Sequence, residues 1–207
     1  ANIEYDFEGE TFTVGSFLER HELMGFLIVE GDTIQLEHYA SDHGPEVRWN
    51  TFSVAKSVTS MLIGAAIKDG YIDNVNETIE TYLPRMRGSE YGAITIRQAL
   101  QMSSGIRWSE GYDDPDSDVV KAALKEGIAL TDYLATLPQL HKAGTKFNYN
   151  TAETNLLGEV LRSAIGNNAS EYLDGKIWQA FGMEHEGNWA LGAPFGGETG
   201  GCCMNMT

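Results

Sequence analysis

The chain has 207 residues, of which 42% are hydrophobic and 10% aromatic, which suits one globular domain with a substantial core. Its formal net charge is −16, from 30 acidic and 14 basic residues. A surface of that sign repels nucleic acid and anionic membrane surfaces, so neither is expected as a partner. The charge indicates a strongly solvated surface. The alternative interpretation is that acidic residues surround the mouth of a cavity and attract cationic substrates.

The sequence contains no apolar run near the ~20 residues that a membrane-spanning helix needs. Residues 1–6 do not resemble a signal peptide, so a cytoplasmic location and a periplasmic or secreted one after signal removal both stay open. The two cysteines, Cys202 and Cys203, are adjacent and are expected to be free thiols, because neighbouring cysteines rarely bond each other. The five histidines lack paired ligand spacing, so no metal site is expected.

The first predicted element is a β-hairpin. Residues 23–30 are almost continuously apolar and predict a buried strand, whereas residues 33–39 alternate apolar and polar side chains like a half-exposed one. Gly31 and Asp32 between them favour a tight turn.

The next predicted element is a helix over residues 52–69. We expect Val54, Val58, Met61, Leu62 and Ala65 to form one apolar stripe, and further apolar residues make the helix hydrophobic almost all round. Such a helix is typically central and buried. Gly70 is a suitable stop signal.

Later in the chain we predict helices over residues 95–102, 117–125, 130–136, 153–165 and 169–181. Asp116 or Ser117 is expected to cap the second of these helices, and Thr131 the third. The glycine-rich stretch 192–201 is predicted to be an irregular loop, since it lacks the pattern of a phosphate-binding loop.

Ser53 and Lys56 are the first candidate catalytic residues. Residues three apart share a face of a helix, so the Lys56 amine can reach the Ser53 hydroxyl. A serine beside a base is a potential nucleophile, and unpaired N–H groups at a helix start favour an alkoxide there. Burial of Lys56 in an apolar helix disfavours its charged form, which suits a base. A capping serine and an unrelated surface lysine are the alternative.

Three segments together resemble the serine β-lactamase and penicillin-binding superfamily. Residues 51–60, TFSVAKSVTS, are similar to its nucleophile helix. Residues 94–106, ITIRQALQMSSGI, resemble its TIRxLLxHTSG segment, and residues 143–158 resemble its PGxxFxYSN…LLG segment. The three segments follow the family's order and cover nearly the whole chain.

This resemblance implies an α+β fold of the β-lactamase/transpeptidase type, with a helical lobe packed on an antiparallel sheet. Ser53 would be the acylated nucleophile, Lys56 its base partner, and Tyr149 the tyrosine that relays a proton to the leaving group. Which of Lys56 and Tyr149 is the formal base stays open. The resemblance implies no metal and no cofactor.

The resemblance has one departure at the tyrosine element. Thr151 stands where the family's Y-x-N element has an asparagine that grips the acylamino group of the substrate. The Y-N-T variant is closer to the 6-aminohexanoate-dimer hydrolases and the family VIII carboxylesterases. It therefore favours small esters or short linear amides as substrates. Thr151 and, from a loop expected at the active-site mouth, Tyr112 are the candidate substrate contacts.

A second departure is that no K-T-G or H-T-G follows Tyr149. The tripeptide at residues 198–200, Glu-Thr-Gly, is only a superficial match in a glycine-rich loop. We therefore expect residues 1–207 to form one incomplete domain, with the sheet hairpin in residues 20–50, the helical lobe in residues 70–185 and the C-terminal strands missing. The missing segment, in the same chain or another, is an expected partner, and a homo-oligomer is possible.

Two other functions remain open at this point. One is a β-lactamase or D-alanyl-D-alanine peptidase, which would use the same Ser53, Lys56 and Tyr149. The other is a non-catalytic binding module that retains the fold, since one fold can host unrelated functions.

Overall fold

The computed structural model describes residues 3–125, 127–192 and 196–207. The chain divides into two compact units, one comprising residues 1–48 with Thr207 and the other comprising residues 49–206. All candidate site residues belong to the second unit.

The first unit consists of two hairpins and a helix. Its elements are β1 (Glu4–Phe7), β2 (Glu10–Thr13), α1 (Val14–Arg20), β3 (Gly25–Glu30) and β4 (Thr33–Tyr39). Helix α1 begins with a capping box in which Thr13 accepts from the Ser16 N–H and Ser16 accepts from the Thr13 N–H. The β3–β4 hairpin confirms the predicted one, with Gly31 at φ +59° in its turn. Strands β1 and β2 and helix α1 were not predicted.

The prediction that β3 is a buried strand is wrong. Leu27 is 56% exposed and Val29 is 54% exposed. Strand β3 pairs with β4 in a two-stranded sheet, and one face of that ribbon contacts solvent among the residues described in this unit. A continuous apolar run is buried on both faces only where other layers cover both, and sequence alone cannot supply that information.

The second unit is mainly helical. Its helices are α2 (Ala55–Lys68), α3 (Ile79–Tyr82), α4 (Glu90–Ala93), α5 (Ile96–Leu100), α6 (Asp118–Ala123), α7 (Gly127–Leu134), α8 (Thr151–Ile165) and α9 (Ala169–Leu173). Three short strands, β5 (Trp49–Asn50), β6 (Asn188–Trp189) and β7 (Met204–Met206), form an antiparallel sheet in the order β5-β7-β6. Trp49 pairs with Met206, which places the chain just before α2 beside a segment from the other end of the unit.

Helix α2 is the predicted central helix, but its buried face differs from the predicted stripe. It is preceded by a 3₁₀ turn at Phe52–Val54. Val54 and Met61, which belong to the predicted stripe, are exposed. The buried positions are Ala55, Lys56, Val58, Thr59, Leu62, Ile63 and Ala66. Because the helix is apolar on more than one side, helical spacing alone could not identify the side that packs.

Helix α8 packs against α2 and provides much of the core. The tyrosine element leads directly into this helix, since Asn150 is its N-cap and Thr151 its first residue, and its buried side chains include Leu156, Leu157, Val160 and Leu161. Burial of four large aliphatic side chains contributes on the order of 6–12 kcal/mol before entropy is considered. This packing fixes the start of α8 relative to the start of α2.

The predicted helix caps had different outcomes. Ser117 caps α6 by accepting from the Val120 N–H, which confirms the first prediction. The prediction for Thr131 is wrong, since α7 begins at Gly127 and the Thr131 hydroxyl donates back to the Ile128 carbonyl at 2.9 Å. The helix predicted over residues 169–181 is α9 followed by a π-helical turn at Asp174–Trp178.

The two cysteines correct another expectation. The structure joins Cys202 and Cys203 by a disulfide, so the prediction of free thiols is wrong. Disulfides between adjacent cysteines are uncommon in general, but that frequency does not determine whether a particular pair is bonded.

Among the described residues, no group of three or more His, Cys, Asp or Glu side chains is arranged to hold a metal ion. No helix in the same part of the chain has both the length and the apolar character needed to cross a bilayer.

Candidate active site

Ser53 and Lys56 lie in hydrogen-bonding contact at the start of α2. The Lys56 Nζ donates to the Ser53 Oγ at 2.8 Å. Ser53 lies in the 3₁₀ turn and Lys56 is the second residue of the helix, so the two side chains share one face as their spacing predicts. Lys56 is only 8% exposed, which leaves its amine few solvent contacts. A buried amine held against a hydroxyl is the arrangement that an activated serine requires.

A second acceptor holds the Lys56 amine from the opposite end of the chain. Nζ donates to the Gly201 carbonyl at 2.7 Å, and the Thr59 hydroxyl donates to the Gly200 carbonyl at the same distance. The carbonyls of Gly200 and Gly201 thus both accept hydrogen bonds from side chains of α2, so this segment lies along the start of the helix. The amine is oriented between Gly201 and Ser53 rather than left free to rotate.

Tyr149 lies beside the same amine. The Lys56 Nζ is 5.3 Å from the centroid of the Tyr149 ring, within the range of a cation–π contact. Tyr149 is 38% exposed, so its ring is accessible from solvent on one side while it contacts the buried amine on the other. The structure thus brings together the three residues predicted to be catalytic.

The position of Tyr149 depends on its neighbour Asn150, which caps α8. The Asn150 side-chain oxygen accepts from the Ala152 N–H at 3.0 Å, and its amide nitrogen donates to the Tyr91 hydroxyl at 2.8 Å and to Glu153 at 3.2 Å. Asn150 and Tyr91 are both buried. Because every polar atom of the Asn150 side chain is bonded, the backbone that carries Tyr149 has one defined conformation.

Glu153 lies within this buried network. It is 1% exposed, and one of its oxygens accepts from the Ser104 hydroxyl at 2.6 Å, while the other has no hydrogen-bond partner among the described residues. Burial raises the pKa of the Glu153 carboxyl to about 7, because desolvation outweighs the hydrogen bonds that favour its charged form. The network that supports Tyr149 therefore contains a group that titrates near neutral pH.

A cavity of about 730 Å³ opens at the Ser53 hydroxyl. The residues that line it include Ser53, Lys56, Trp108, Tyr112, Thr151 and Asn155. Both residues predicted as substrate contacts, Tyr112 and Thr151, are among them. The volume falls within the usual range of small-molecule sites, so a ligand that reaches Ser53 would lie against these side chains.

Three of the cavity-lining residues are tied together by Glu110, which the sequence did not suggest as functional. The Trp108 indole N–H, the Tyr112 hydroxyl, and both the N–H and the hydroxyl of Thr151 donate to its carboxylate. Glu110 lies only two residues from each aromatic residue. That close spacing could have indicated a contact between Glu110 and the two aromatic side chains. The contact with Thr151 joins residues 41 positions apart, and no sequence pattern predicts it.

The loop that carries Trp108, Glu110 and Tyr112 is anchored by Asp118. The buried Asp118 carboxylate accepts from the Arg107 guanidinium, from the N–H and hydroxyl of Ser109, and from the Tyr133 hydroxyl. Burial acts to raise the pKa of Asp118, but the hydrogen bonds from Tyr133 and Ser109 and the Arg107 charge outweigh it, so the pKa is lowered. Asp118 is therefore held as a carboxylate that fixes both ends of the loop.

Residues 199–201, which belong to the stretch predicted from sequence to be an irregular loop, reach the site. The Gly201 N–H donates to the Asn155 side chain at 2.8 Å, and a Cβ on Gly201 would lie 2.7 Å from that same oxygen. A Cβ on Gly158 would lie 2.9 Å from the Gly200 Cα, so both glycines are needed for the close approach to α8. The glycine-rich composition of residues 192–201 was the one sequence feature that could have indicated such a close approach. Residues 193–195 of this stretch lie outside the described residues.

Fold and site geometry together are those of the serine β-lactamase-like class. The family model described as "Beta-lactamase" matches residues 17–195. The chain therefore belongs to the Beta-lactamase family.

Individual relatives agree with this assignment. Over 162 residues the chain is 29% identical to a 6-aminohexanoate-dimer hydrolase from Paenarthrobacter ureafaciens, a match that covers 74% of this chain and 41% of that protein. A solved structure from Bacillus anthracis, provisionally described as a 6-aminohexanoate-dimer hydrolase, superposes with a TM-score of 0.83 at 20% identity. That superposition covers 99% of this chain and 56% of the other.

A class C β-lactamase from Rhodobacter sphaeroides superposes with a TM-score of 0.66 at 18% identity, covering 82% of this chain and 48% of that one. At such identities the likeness of the structures establishes the fold alone. The chain spans about half the length of each of these relatives.

Proposed function

We propose that the protein is a serine hydrolase that cleaves small esters or short linear amides through an acyl-serine intermediate. The observation that carries the proposal is the 2.8 Å contact between the buried Lys56 amine and the Ser53 hydroxyl, which opens onto a cavity of ligand size. Membership of a hydrolase family supports the reaction class.

In the proposed reaction Ser53 Oγ attacks the carbonyl carbon of the substrate and its proton passes to the pair formed by Lys56 and Tyr149. The same pair returns the proton to the departing alcohol or amine, and the acyl group stays on Ser53. Water then attacks this ester, releases the acid and restores the Ser53 hydroxyl. The Lys56 amine lies 5.3 Å from the centroid of the Tyr149 ring, and this proximity is the basis for proposing that the two residues pass the proton as a pair.

The substrate class is proposed from the residues around the cavity. Thr151 is short and offers no side-chain amide, and Tyr112 and Trp108 supply an aromatic wall. At the position of Thr151, where the resembling family has an asparagine, these contacts suit an acyl chain better than an acylamino group. The similarity to 6-aminohexanoate-dimer hydrolases points in the same direction. The proposed chemistry uses side chains only and needs no cofactor.

Full activity is proposed to need more than these 207 residues. The chain spans about half of its relatives' length, and strand β3 leaves Leu27 and Val29 exposed on a two-stranded sheet. Open strand edges and uncovered apolar faces favour pairing with further strands. We propose that a further segment, in cis or in trans, or a second copy of the chain, completes the sheet. Equal turnover by this chain and by a longer one would reject that part of the proposal.

Active-site labelling tests the assignment of the nucleophile. A fluorophosphonate probe should label the wild-type chain and fail to label Ser53→Ala. Ser57→Ala is the matched control, since Ser57 lies on the exposed side of α2 and should leave labelling unchanged. Persistent labelling of Ser53→Ala would mean that another serine reacts, and the proposal would then be wrong.

A substrate series separates this proposal from the remaining alternatives. We expect kcat/KM to rank p-nitrophenyl butyrate or a linear aminohexanoate dimer above a chromogenic cephalosporin. The reverse order would indicate a β-lactamase. A stoichiometric adduct on Ser53 without turnover, in this chain and in a longer one, would indicate a binding module instead.

A further inference from the structure

Four hydrogen-bond donors converge on the carboxylate of Glu110. One oxygen accepts from the Trp108 indole N–H and from the Thr151 N–H at 3.1 Å. The other accepts from the Tyr112 hydroxyl at 2.7 Å and from the Thr151 hydroxyl. Each oxygen therefore receives two donors, one from the loop after Ile106 and one from the first residue of α8.

A carboxylate satisfies this arrangement in full. Its two oxygens provide about four acceptor positions in all. The Trp108 indole N–H and the Thr151 N–H can only donate, so removal of the side chain, as in Glu110→Ala, would leave both without their acceptor. Such a change leaves polar groups unpaired in a half-buried position, which costs more than the lost bonds alone. The Glu110 side chain is thus the shared acceptor that holds this cluster together.

The partners of Glu110 line the cavity, while Glu110 itself does not. Trp108, Tyr112 and Thr151 all face the space in front of Ser53. Asp118 already anchors the loop through Arg107, so Glu110 is not needed merely to hold the loop to the protein. Its contacts instead fix the two aromatic rings relative to Thr151, across the joint between the loop and α8.

We propose that Glu110 is the positioning residue that sets the acyl-chain selectivity of this site. The inference rests on the proposed function, since it concerns the chain that an acyl group on Ser53 would carry. Glu110 acts through Trp108, Tyr112 and Thr151, which form the wall against which a chain of several carbons lies. An acetyl-sized group ends before it reaches this wall and does not sense it.

The test compares two alkyl fluorophosphonates, one with methyl and one with hexyl on phosphorus, by their second-order rates of Ser53 labelling. The readout is the hexyl-to-methyl ratio, which needs no turnover. In Glu110→Ala we expect this ratio to fall about tenfold, since ordered contacts to a few methylenes are worth that much discrimination. Glu46→Ala, at an exposed glutamate in the first unit, should leave the ratio unchanged.

A second variant keeps the test decisive if Glu110→Ala is poorly folded. Tyr112→Phe removes one donor and retains the ring, so the ratio should fall several-fold in a folded protein. In the double variant the ratio should fall no further than in Glu110→Ala alone, because the two changes break the same contact. Additive losses, or an unchanged ratio in either single variant, would overturn the inference.

The outcomes for the two proposals are distinguishable. Absence of labelling in the wild-type chain, or labelling that survives Ser53→Ala, refutes the proposed function and the inference with it. Normal Ser53-dependent labelling with a wild-type ratio in Glu110→Ala refutes the role of Glu110 alone.

Discussion

The Lys56 amine and the Gly201 carbonyl lie 2.7 Å apart although 145 residues separate them in the chain. This contact determines the direction of the amine, because Lys56 donates to Gly201 on one side and to Ser53 on the other. A flexible lysine side chain loses considerable rotamer entropy when it is fixed in this way. The entropy is offset only if the orientation is maintained by packing, here by the close approach of residues 200–201 to α2 and α8.

Replacement of Lys56 by methionine should abolish activation of the nucleophile. Methionine matches the length and apolar stem of lysine, so the helix should fold, but no amine remains to accept the Ser53 proton. We expect the rate of fluorophosphonate labelling to fall by about 10²–10⁴-fold. Lys68→Met, at the exposed end of the same helix, should label at the wild-type rate. A labelling rate within threefold of wild type in Lys56→Met would exclude Lys56 as the base.

Replacement of Tyr149 by phenylalanine separates the ring from the hydroxyl. The ring contact with the Lys56 amine is retained, so stability should change little, whereas the hydroxyl needed for the proposed proton relay is removed. We expect labelling or ester hydrolysis to slow by about 100-fold, the usual contribution of one proton-transfer group. Tyr71→Phe is the control, since Tyr71 is exposed and contacts Tyr172 through its ring. Equal rates of labelling and hydrolysis in Tyr149→Phe and Tyr71→Phe would show that the Tyr149 hydroxyl takes no part in the proton transfer.

The features predicted correctly from sequence are local ones. The spacing of Ser53 and Lys56 fixes their contact as soon as a helical turn forms, and the turn residue Gly31 fixes the hairpin. Tyr149 was found differently, through a family-like segment rather than through any physical signal of its own. Its distance from Lys56 depends on how α8 packs on α2, which no local pattern specifies.

The features that sequence missed depend on contacts across the chain. Glu110 belongs to no recognisable sequence pattern, and its contact with Thr151 arises only when the folded chain brings the two residues together. Gly201 belongs to a stretch whose composition predicts a loop but not what the loop touches. The exposure of Leu27 shows the same limit, because burial of an apolar strand depends on layers that its own sequence does not encode.

Replacement of Gly200 by alanine tests the approach that orients Lys56. The new Cβ would clash with the Thr154 carbonyl and with the Gly158 backbone, neither of which can rotate away. We expect a loss of about 1–3 kcal/mol in the free energy of unfolding, measured in urea, together with slower labelling of Ser53. Gly64→Ala is the control, since its Cβ meets open space within α2 and should slightly stabilise the helix. Full stability in Gly200→Ala would contradict the close packing described above.

Replacement of Asp118 by asparagine should loosen the loop that carries the aromatic wall. Asparagine retains one acceptor but loses the charge that pairs with Arg107, and its amide faces the donors of Ser109 and Tyr133. Removal of one partner from a buried charged network is destabilising, here by about 2 kcal/mol after allowance for the partly exposed Arg107. Urea denaturation measures this loss. Asp132→Asn, in an exposed ion pair with Arg85, should change stability little, and equal effects of the two substitutions would contradict the assigned role.

Replacement of Glu153 by glutamine should alter how stability depends on pH. The ordinary pKa of the carboxyl is 4.5, whereas burial raises it to about 7 in the folded protein, so the native state binds more protons than the unfolded state within that interval. The stabilising effect of neutral Glu153 is therefore complete below pH 4.5 and is lost as the pH rises through about 7.

Glutamine resembles the neutral acid and cannot ionise, so Glu153→Gln should lack this loss. When the pH is raised from 5 to 8, the free energy of unfolding of the variant should therefore increase by about 2 kcal/mol relative to that of wild type. Urea denaturation at both pH values measures the gain, and Glu46→Gln should follow the wild-type pH response. A parallel response in Glu153→Gln would mean that the buried carboxyl titrates near its ordinary pKa, and the network supporting Tyr149 would then carry a negative charge throughout this range.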